Sequence, residues 1–299
     1  MSEDHAAPQT LGRKFIEKMD SAMLPAFRAA VVPIYRYAPD HDHARLLGSG
    51  SLLAIGGRYF LVTAGHVVDE VCDGEVQQDH IYVPPLPEGA FVPVVGRFTG
   101  DRTSRNDIAV IELDAAAVER LQGRRFLNLT DIDLSTAPLP AGWYYTHGYP
   151  YEDATRGGSG DEFRAKPYTL GTRLYAGDTN SLRTYVPGLH VLLEVPTNVV
   201  DGAGNEGAFP ESLQGISGSP LWRAFTYGSA PSMWTPDEAR VVGVETSVTS
   251  MGRGVLVVQG TRWFVVLELL RHAYPDLEPA IALYDPPRVR TTFQWEKDQ

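Results

Sequence analysis

The chain has 299 residues, of which 43% are hydrophobic and 10% aromatic, so it can bury a substantial core and falls between one and two ordinary domains. Its formal net charge of -11 opposes tight binding to nucleic acid, because that affinity depends on Lys and Arg displacing counterions from phosphates. An acidic balance suits a cationic substrate, although it serves solubility equally well. We therefore expect no nucleic-acid partner.

The cellular location is suggested by the first residues and by the cysteine content. MSEDHAAPQT lacks the basic and then apolar order of a secretory signal, and no stretch approaches the roughly 20 apolar residues that span a bilayer. The single cysteine, Cys72, permits no internal disulfide, which is typical of a reducing compartment. We expect a cytoplasmic protein with no membrane partner, in which Cys72 fills space rather than reacts.

Two segments have the apolar spacing of a helix. Residues 10–24 place four apolar side chains on one helical face, namely Leu11, Phe15, Met19 and Met23. Pro25 is expected to end or kink this helix, which either packs on the protein surface or docks a partner. Near the other end, RWFVVLELLRHAY has an apolar stripe of Trp263, Val266, Leu267, Leu270 and Tyr274, followed by Pro275 as a stop.

Between these helices the pattern is that of a β protein. Short runs of β-branched and aromatic residues, such as YFLVTA, DIAVIEL, LHVLLEV and GVLVVQG, are separated by Gly, Pro, Asn and Asp. So many short strands predict β-barrels or sandwiches. Residues 150–182, rich in Gly, Asp and Ser, and residues 197–212 are interpreted as long loops.

Two motifs at strand boundaries contain candidate catalytic groups. In YFLVTAGHVV an apolar run ends at His66; such a histidine is commonly structural, but small Ala64 and Gly65 let the backbone turn and leave the imidazole open to a cleft. In RNDIAVIEL, Asp107 directly precedes a predicted strand. An acidic residue before a strand is commonly part of a turn. An acidic side chain that is partly buried, however, needs a partner such as His66.

The third motif, ESLQGISGSPLW, is the most specific. Ser217 lies in a glycine-rich turn that Pro220 constrains, so the backbone N–H groups of Gly215 and Ser217 can converge. Two such donors would form an oxyanion hole, which stabilises the negative charge that develops when serine attacks an amide.

Together, TAGHVV, NDIAVIEL and GISGSP resemble the three signatures of the chymotrypsin-like (trypsin-like) serine peptidases, in that family's order of His, Asp and Ser. The resemblance spans residues 30–275 in outline and is sharp at these motifs. It implies that His66 is the general base, Asp107 the carboxylate that orients it and Ser217 the nucleophile. The implied protein is a serine endopeptidase of the intracellular, bacterial type without disulfides, using neither cofactor nor metal.

The same resemblance implies an all-β fold of two antiparallel six-stranded β-barrels, with an N-terminal and a C-terminal helix added. The expected organisation is a helical extension at 1–29, a first barrel with His66 and Asp107 at 30–130, a second barrel with Ser217 at 131–260, and the terminal helix and tail at 261–299. The catalytic cleft is then expected between the two barrels.

Substrate recognition is also suggested by the resemblance. Glu211 lies six residues before the nucleophile, where family members that cut after Lys or Arg have an acid. Its extra methylene relative to aspartate would also allow it to fold away from the pocket. VVGVETSV resembles the family's substrate-lining strand, which implies that the backbone at Thr246, Ser247 and Val248 pairs with an extended peptide, and Gly254 resembles a glycine of the pocket wall.

Ile216 departs from the family pattern, because many secreted members have there an aspartate that binds a newly cut N-terminus. Activation by N-terminal clipping is therefore not expected. The enzyme is either formed constitutively or switched by loop ordering or by an activating protein partner. Its substrate is expected to be a protein or peptide, selectively cleaved.

Two other function classes compete with this interpretation. An α/β-hydrolase needs Gly-x-Ser-x-Gly and a histidine after the serine, whereas Ser219 occupies the last glycine position and His66 precedes Ser217. A catalytically silent scaffold that binds peptides in the same cleft remains an alternative. His41 and His43 flank an aspartate, but no further ligands with a metal-site spacing accompany them.

Overall fold

The computed structural model describes residues 11–37, 44–69, 81–86, 90–101, 105–151, 154–156, 163–196, 199–200, 206–207, 212–252 and 255–284. The described chain is mostly β, as expected, and its strands form two large antiparallel sheets, one in each half. Burial of the strands' apolar side chains stabilises this arrangement, and several strands, β3 and β7 among them, are buried over consecutive residues rather than on one face alone.

The first sheet has seven strands in the order β5-β4-β1-β2-β3-β7-β6. The strands are β1 (Val31–Tyr37), β2 (Ala44–Ile55), β3 (Arg58–Ala64), β4 (Ile81–Val83), β5 (Val92–Pro93), β6 (Phe98–Asp101) and β7 (Ile108–Glu112). The sheet is curled but open, so the expectation of a closed six-stranded first barrel is wrong. Its edge strands, β5 and β6, are only two and four residues long and do not pair with each other within the described chain.

The second half confirms the expected six-stranded barrel. It is closed in the order β11-β12-β17-β16-β15-β8, formed by β8 (Gly142–Gly148), β11 (Tyr168–Leu174), β12 (His190–Pro196), β15 (Pro220–Thr226), β16 (Arg240–Ser250) and β17 (Val255–Arg262). Two small pairs complete the strands: β9 (Ala154–Arg156) with β10 (Phe163–Ala165), and β13 (Val199–Val200) with β14 (Glu206–Gly207). The segments interpreted as long loops thus contain short strands, and the first also supplies β11.

Both terminal helices are present. The first, α1 (Arg13–Ala30), buries Met19 and Met23 of the predicted face, and Phe27 one turn further on. It continues through Pro25, so the proline does not end the helix, and the alternative of a kink stays a prediction. Three short helices are α2 (Gly65–Asp69), α3 (Ala115–Arg120) and α5 (Glu278–Ala282), and α4 (Trp263–Ala273) is the C-terminal helix. Every residue of its predicted stripe is buried.

One hydrophobic cluster joins all these parts. It combines Phe60 and Val62 of the first sheet, Tyr145, Trp222 and Val241 of the barrel, Met19, Met23 and Phe27 of α1, and Trp263, Val266 and Leu270 of α4. Close-packed interiors deform little, so this shared core holds the two sheets in a fixed relation. The candidate site lies at their junction.

Candidate active site

His66 lies in the second position of α2, directly after β3. Strand β3 is buried over its last five residues, Phe60–Ala64, and the chain then turns into the short helix at Gly65. The turn leaves the His66 side chain 47% exposed. The strand therefore places the imidazole at the surface, next to the edge of a buried sheet.

Asp107 reaches His66 because β3 and β7 are antiparallel neighbours. Ala64, at the end of β3, pairs with Ile108, at the start of β7, and the Gly65 N–H donates to the Asp107 carbonyl at 2.9 Å. This strand pairing brings together His66 and Asp107, which lie 41 residues apart in the sequence. Asp107 has a φ of 46°, in the left-handed region that aspartate tolerates better than most residues.

Both carboxylate oxygens of Asp107 bind His66. Oδ1 accepts from the backbone N–H of His66 at 2.8 Å, and Oδ2 lies 2.7 Å from Nδ1 of the ring. An ionised carboxylate can only accept, so Nδ1 bears the proton in the neutral ring and Nε2 is left as the basic nitrogen. The bond to Asp107 raises the pKa of His66, and the charges of Asp107, Glu245 and Asp69 act in the same direction, while partial burial opposes them.

Ser217 lies in a tight turn bounded by two glycines in the left-handed region, Gly215 with φ 98° and Gly218 with φ 89°. The Ser219 N–H donates to the Ile216 carbonyl at 2.9 Å and closes the turn. A Cβ on Gly218 would lie 2.1 Å from the Thr63 hydroxyl oxygen and 3.0 Å from the Ala64 nitrogen. The turn thus packs against the end of β3, within three residues of His66.

Ser49, on β2, ties this turn to the first sheet. Its backbone N–H donates to the Ser217 carbonyl at 2.8 Å, and its hydroxyl donates to the Gly215 carbonyl at 2.8 Å. The same hydroxyl accepts from the Tyr149 N–H at 2.9 Å. Sequence reasoning missed this residue, although two serines in the buried run LLGSGSLL were a signal that a polar group there needs partners.

The two predicted oxyanion donors have no acceptor among the described residues. Within the described chain, neither the Gly215 N–H nor the Ser217 N–H donates to another group. Because Ser49 holds the Gly215 carbonyl, the orientation of that residue is fixed. The turn can therefore offer two backbone donors to a negatively charged oxygen.

No hydrogen bond joins the His66 ring to the Ser217 hydroxyl in the described chain; the ring bonds only to Asp107. Bonds between a nucleophile and its base are often long without substrate and tighten when substrate binds. The structure brings the motifs of His66, Asp107 and Ser217 to one junction with the His66–Asp107 bond formed.

Glu245 was not predicted as a site residue, yet it lies beside Ser217. It is fully buried on β16, and burial raises its pKa to about 8, with His66 and the Ser217 hydroxyl lowering it and Asp107 raising it. The sequence feature that could have identified Glu245 is a charged residue inside the apolar run VVGVET.

The predicted substrate strand has an open edge. Strand β15 pairs with β16 only over Arg240–Val244, whereas β17 follows β16 as far as Ser250. Thr246 is buried, and Ser247 and Val248 are partly exposed at this edge. Beyond Glu245, no described strand pairs with this edge, so a peptide could add to it as a further strand.

Two predicted specificity residues, Glu211 and Gly254, lie outside the described residues, as do Cys72, His41 and His43. Ile216 is buried in an apolar cluster with Leu213 and Leu221.

In the described part of the chain, no group of three or more His, Cys, Asp or Glu side chains is arranged to hold a metal ion. Within the same residues, no helix has both the length and the apolar character needed to cross a membrane. Comparison with protein-family models and with curated proteins finds no match to the chain.

Proposed function

We propose that the protein is a cytoplasmic serine endopeptidase of the trypsin-like superfamily, with its first barrel left open as a seven-stranded sheet. The observation that carries the proposal is the His66–Asp107 pair, bonded at 2.7 Å, at the junction that also holds the Ser217 turn, two N–H groups of which donate to no other group within the described chain. These are the parts that acyl transfer to serine requires.

The reaction follows from these groups. His66 Nε2 takes the hydroxyl proton of Ser217 as its Oγ bonds to the carbonyl carbon of the substrate, and Asp107 stabilises the resulting imidazolium. The Gly215 and Ser217 N–H groups donate to the oxyanion of the tetrahedral intermediate. His66 then protonates the departing amine, and water, activated by His66, releases the acyl group from Ser217.

The proposed substrate is an extended protein segment, selectively cleaved. Its backbone would pair with the open edge of β16 at Thr246, Ser247 and Val248, and Gly254 would form part of the pocket wall. Glu211 would bind a Lys or Arg side chain just before the scissile bond. Since Ile216 is buried among apolar side chains, a cut N-terminus would not pair there, and the enzyme would be formed constitutively or switched by loop ordering or by a protein partner.

Covalent labelling with a fluorophosphonate tests the nucleophile. Wild type should be labelled, and Ser217→Ala should not, with peptide hydrolysis falling by a factor on the order of 10⁶. Ser219→Ala is the matched control, since Ser219 is a buried serine of the same turn and should leave labelling intact. Labelling should be repeated with candidate activating proteins, because a latent enzyme would otherwise resemble an inactive one.

The alternative function is a peptide-binding scaffold. A folded wild type that stays unlabelled under all these conditions, yet binds peptides as tightly as Ser217→Ala does, would replace the proposed function with the scaffold.

Peptides with Arg, Phe or Ala before the scissile bond test the specificity. The proposal expects faster cleavage after Arg, and loss of that preference in Glu211→Gln with cleavage after Ala unchanged. Equal rates after Arg and Phe would exclude a role for Glu211 in the primary pocket.

A further inference from the structure

Glu245 is a buried carboxyl group that the proposed reaction does not use. Its side chain is 0% exposed, and neither carboxyl oxygen has a hydrogen-bond partner among the described residues that meets normal geometry. Burial of an ionised, unpaired carboxylate is costly, so such a group either stays protonated or serves a nearby function. Its position next to the nucleophile favours a function.

Backbone bonds fix Glu245 beside the Ser217 turn. Its N–H donates to the Ser219 carbonyl at 2.8 Å, and its carbonyl accepts from the Gly218 N–H at 2.8 Å. These two bonds bind β16 to the two residues that follow the nucleophile. The backbone of Glu245 therefore keeps its place relative to the Ser217 turn whenever the turn is intact.

Three functional groups influence the pKa of this carboxyl: His66 from α2 and the Ser217 hydroxyl from the turn lower it, and Asp107 from the start of β7 raises it. The strands that pair with β16 place Gly260 and Ser219 beside it, and neither residue titrates. Burial holds the pKa of Glu245 at about 8, so the group is neutral at lower pH and ionises near that value. Ionisation near pH 8 thus changes it from a donor to an acceptor.

We propose that Glu245 is a positioning residue for the nucleophile: its neutral carboxyl donates to Ser217 Oγ and leaves the hydroxyl proton for His66, whereas its carboxylate accepts that proton and turns it away from His66. The proton lost on ionisation goes to solvent, and no bond to substrate is made. This inference rests on the proposed function and adds an upper pH limit to it.

The pH dependence of fluorophosphonate labelling tests the inference. In wild type the rate should rise as His66 loses its proton and then fall about tenfold for each pH unit above about 8. Glu245→Gln keeps the shape and a permanent donor, so its rate should rise and stay level. Glu194→Gln, which changes a carboxylate of β12 bonded to Arg173, is the control and should keep the wild-type profile.

Superimposable profiles for wild type and Glu245→Gln would overturn the inference and leave the proposed function standing. A general loss of stability would lower the labelling rate over the whole pH range. Disappearance of only the decline above about pH 8 is specific to positioning. Thermal unfolding at pH 6 shows whether Glu245→Gln is folded.

A second measurement does not depend on activity or on the Glu245 variant. In protein with ¹³C-labelled glutamate carboxyls, one resonance should titrate near pH 8, and Ser217→Ala should move its midpoint upward, because the hydroxyl stabilises the charged form. An unchanged midpoint in Ser217→Ala, or no glutamate that titrates above pH 7, would exclude contact between the two side chains even if labelling fails.

Discussion

At the scale of single residues, Asp107 combines an unusual backbone with two bonds to His66. It is the one described non-glycine residue with positive φ, and its carboxylate accepts from both the backbone and the ring of His66. Only a short polar side chain satisfies both conditions, since Asp and Asn adopt this conformation at low cost.

Asp107→Asn should therefore retain the fold but lose activity. Asparagine keeps the backbone conformation and one acceptor, but its amide can hold the imidazole in the wrong tautomer, which should slow fluorophosphonate labelling about 10⁴-fold. Asp107→Ala should also lower the free energy of unfolding, by roughly 1–2 kcal/mol for the backbone alone. Labelling of Asp107→Asn at the wild-type rate would remove Asp107 from the proposed mechanism.

Glu245 should make stability depend on pH. In the unfolded chain it ionises near its ordinary pKa of 4.5, whereas in the folded protein it keeps its proton until about pH 8. Unfolding between these values releases a proton, so the free energy of unfolding should fall as pH rises, by at most about 1.4 kcal/mol per pH unit. Urea unfolding at several pH values should show a weaker decline in Glu245→Gln; equal slopes would show that the group titrates normally.

At the scale of elements, the nucleophile turn depends on close approach to β2 and β3. Gly218 has positive φ, and a Cβ there would lie 2.1 Å from both the Ser49 carbonyl oxygen and the Thr63 hydroxyl oxygen. Nothing can relieve the contact with Ser49 except movement of backbone. The position of Ser217 thus depends on a contact between the two sheets.

Gly218→Ala should displace the turn and reduce labelling by about 100-fold, the effect of a misplacement near 1 Å. Gly228→Ala is a matched control, because Gly228 has a similar φ of 95° but no atom within 4 Å of its Cβ position. The control should lose only about 1 kcal/mol of stability and keep its activity. Equal effects of the two substitutions on labelling would show that the contact is unimportant.

At the scale of the whole molecule, the shared cluster makes the two sheets one folding unit. It draws side chains from both sheets and from α1 and α4, so exposing one sheet would also expose the other's core. The candidate site spans the same junction, which means that it exists only when both halves are folded.

Unfolding in urea should therefore show one transition by two probes. All five tryptophans lie at or beyond residue 143, so their fluorescence reports on the second half, whereas hydrogen exchange at Leu52 and Leu61 reports on the first sheet. Each sheet also has a cluster of its own, but coincident midpoints are expected, because unfolding of either sheet exposes the cluster that both share. Two separated midpoints would show that the halves fold independently.

The sequence by itself determined the local features of this protein. Both helices followed from their apolar periodicity, and the run of short strands predicted the β architecture. The six-stranded barrel and the choice of His66, Asp107 and Ser217 depended on the resemblance of three short motifs to those of the chymotrypsin-like peptidases, and the catalytic roles stay a prediction. Each of these signals depends on near neighbours in the chain, which is why they can be predicted from the residue pattern.

Only the tertiary structure decided the features that join distant segments. Closure of the first sheet depends on whether its short edge strands, β5 and β6, pair with each other, and the local residue pattern does not predict such pairing. The bond of the Ser49 hydroxyl to the Gly215 carbonyl crosses 166 residues of sequence, and the backbone bonds of Glu245 to Gly218 and Ser219 form where β16 passes the nucleophile turn. Packing of one sheet against the other sets these distances, so the residues that hold the Ser217 turn became visible only in the folded chain.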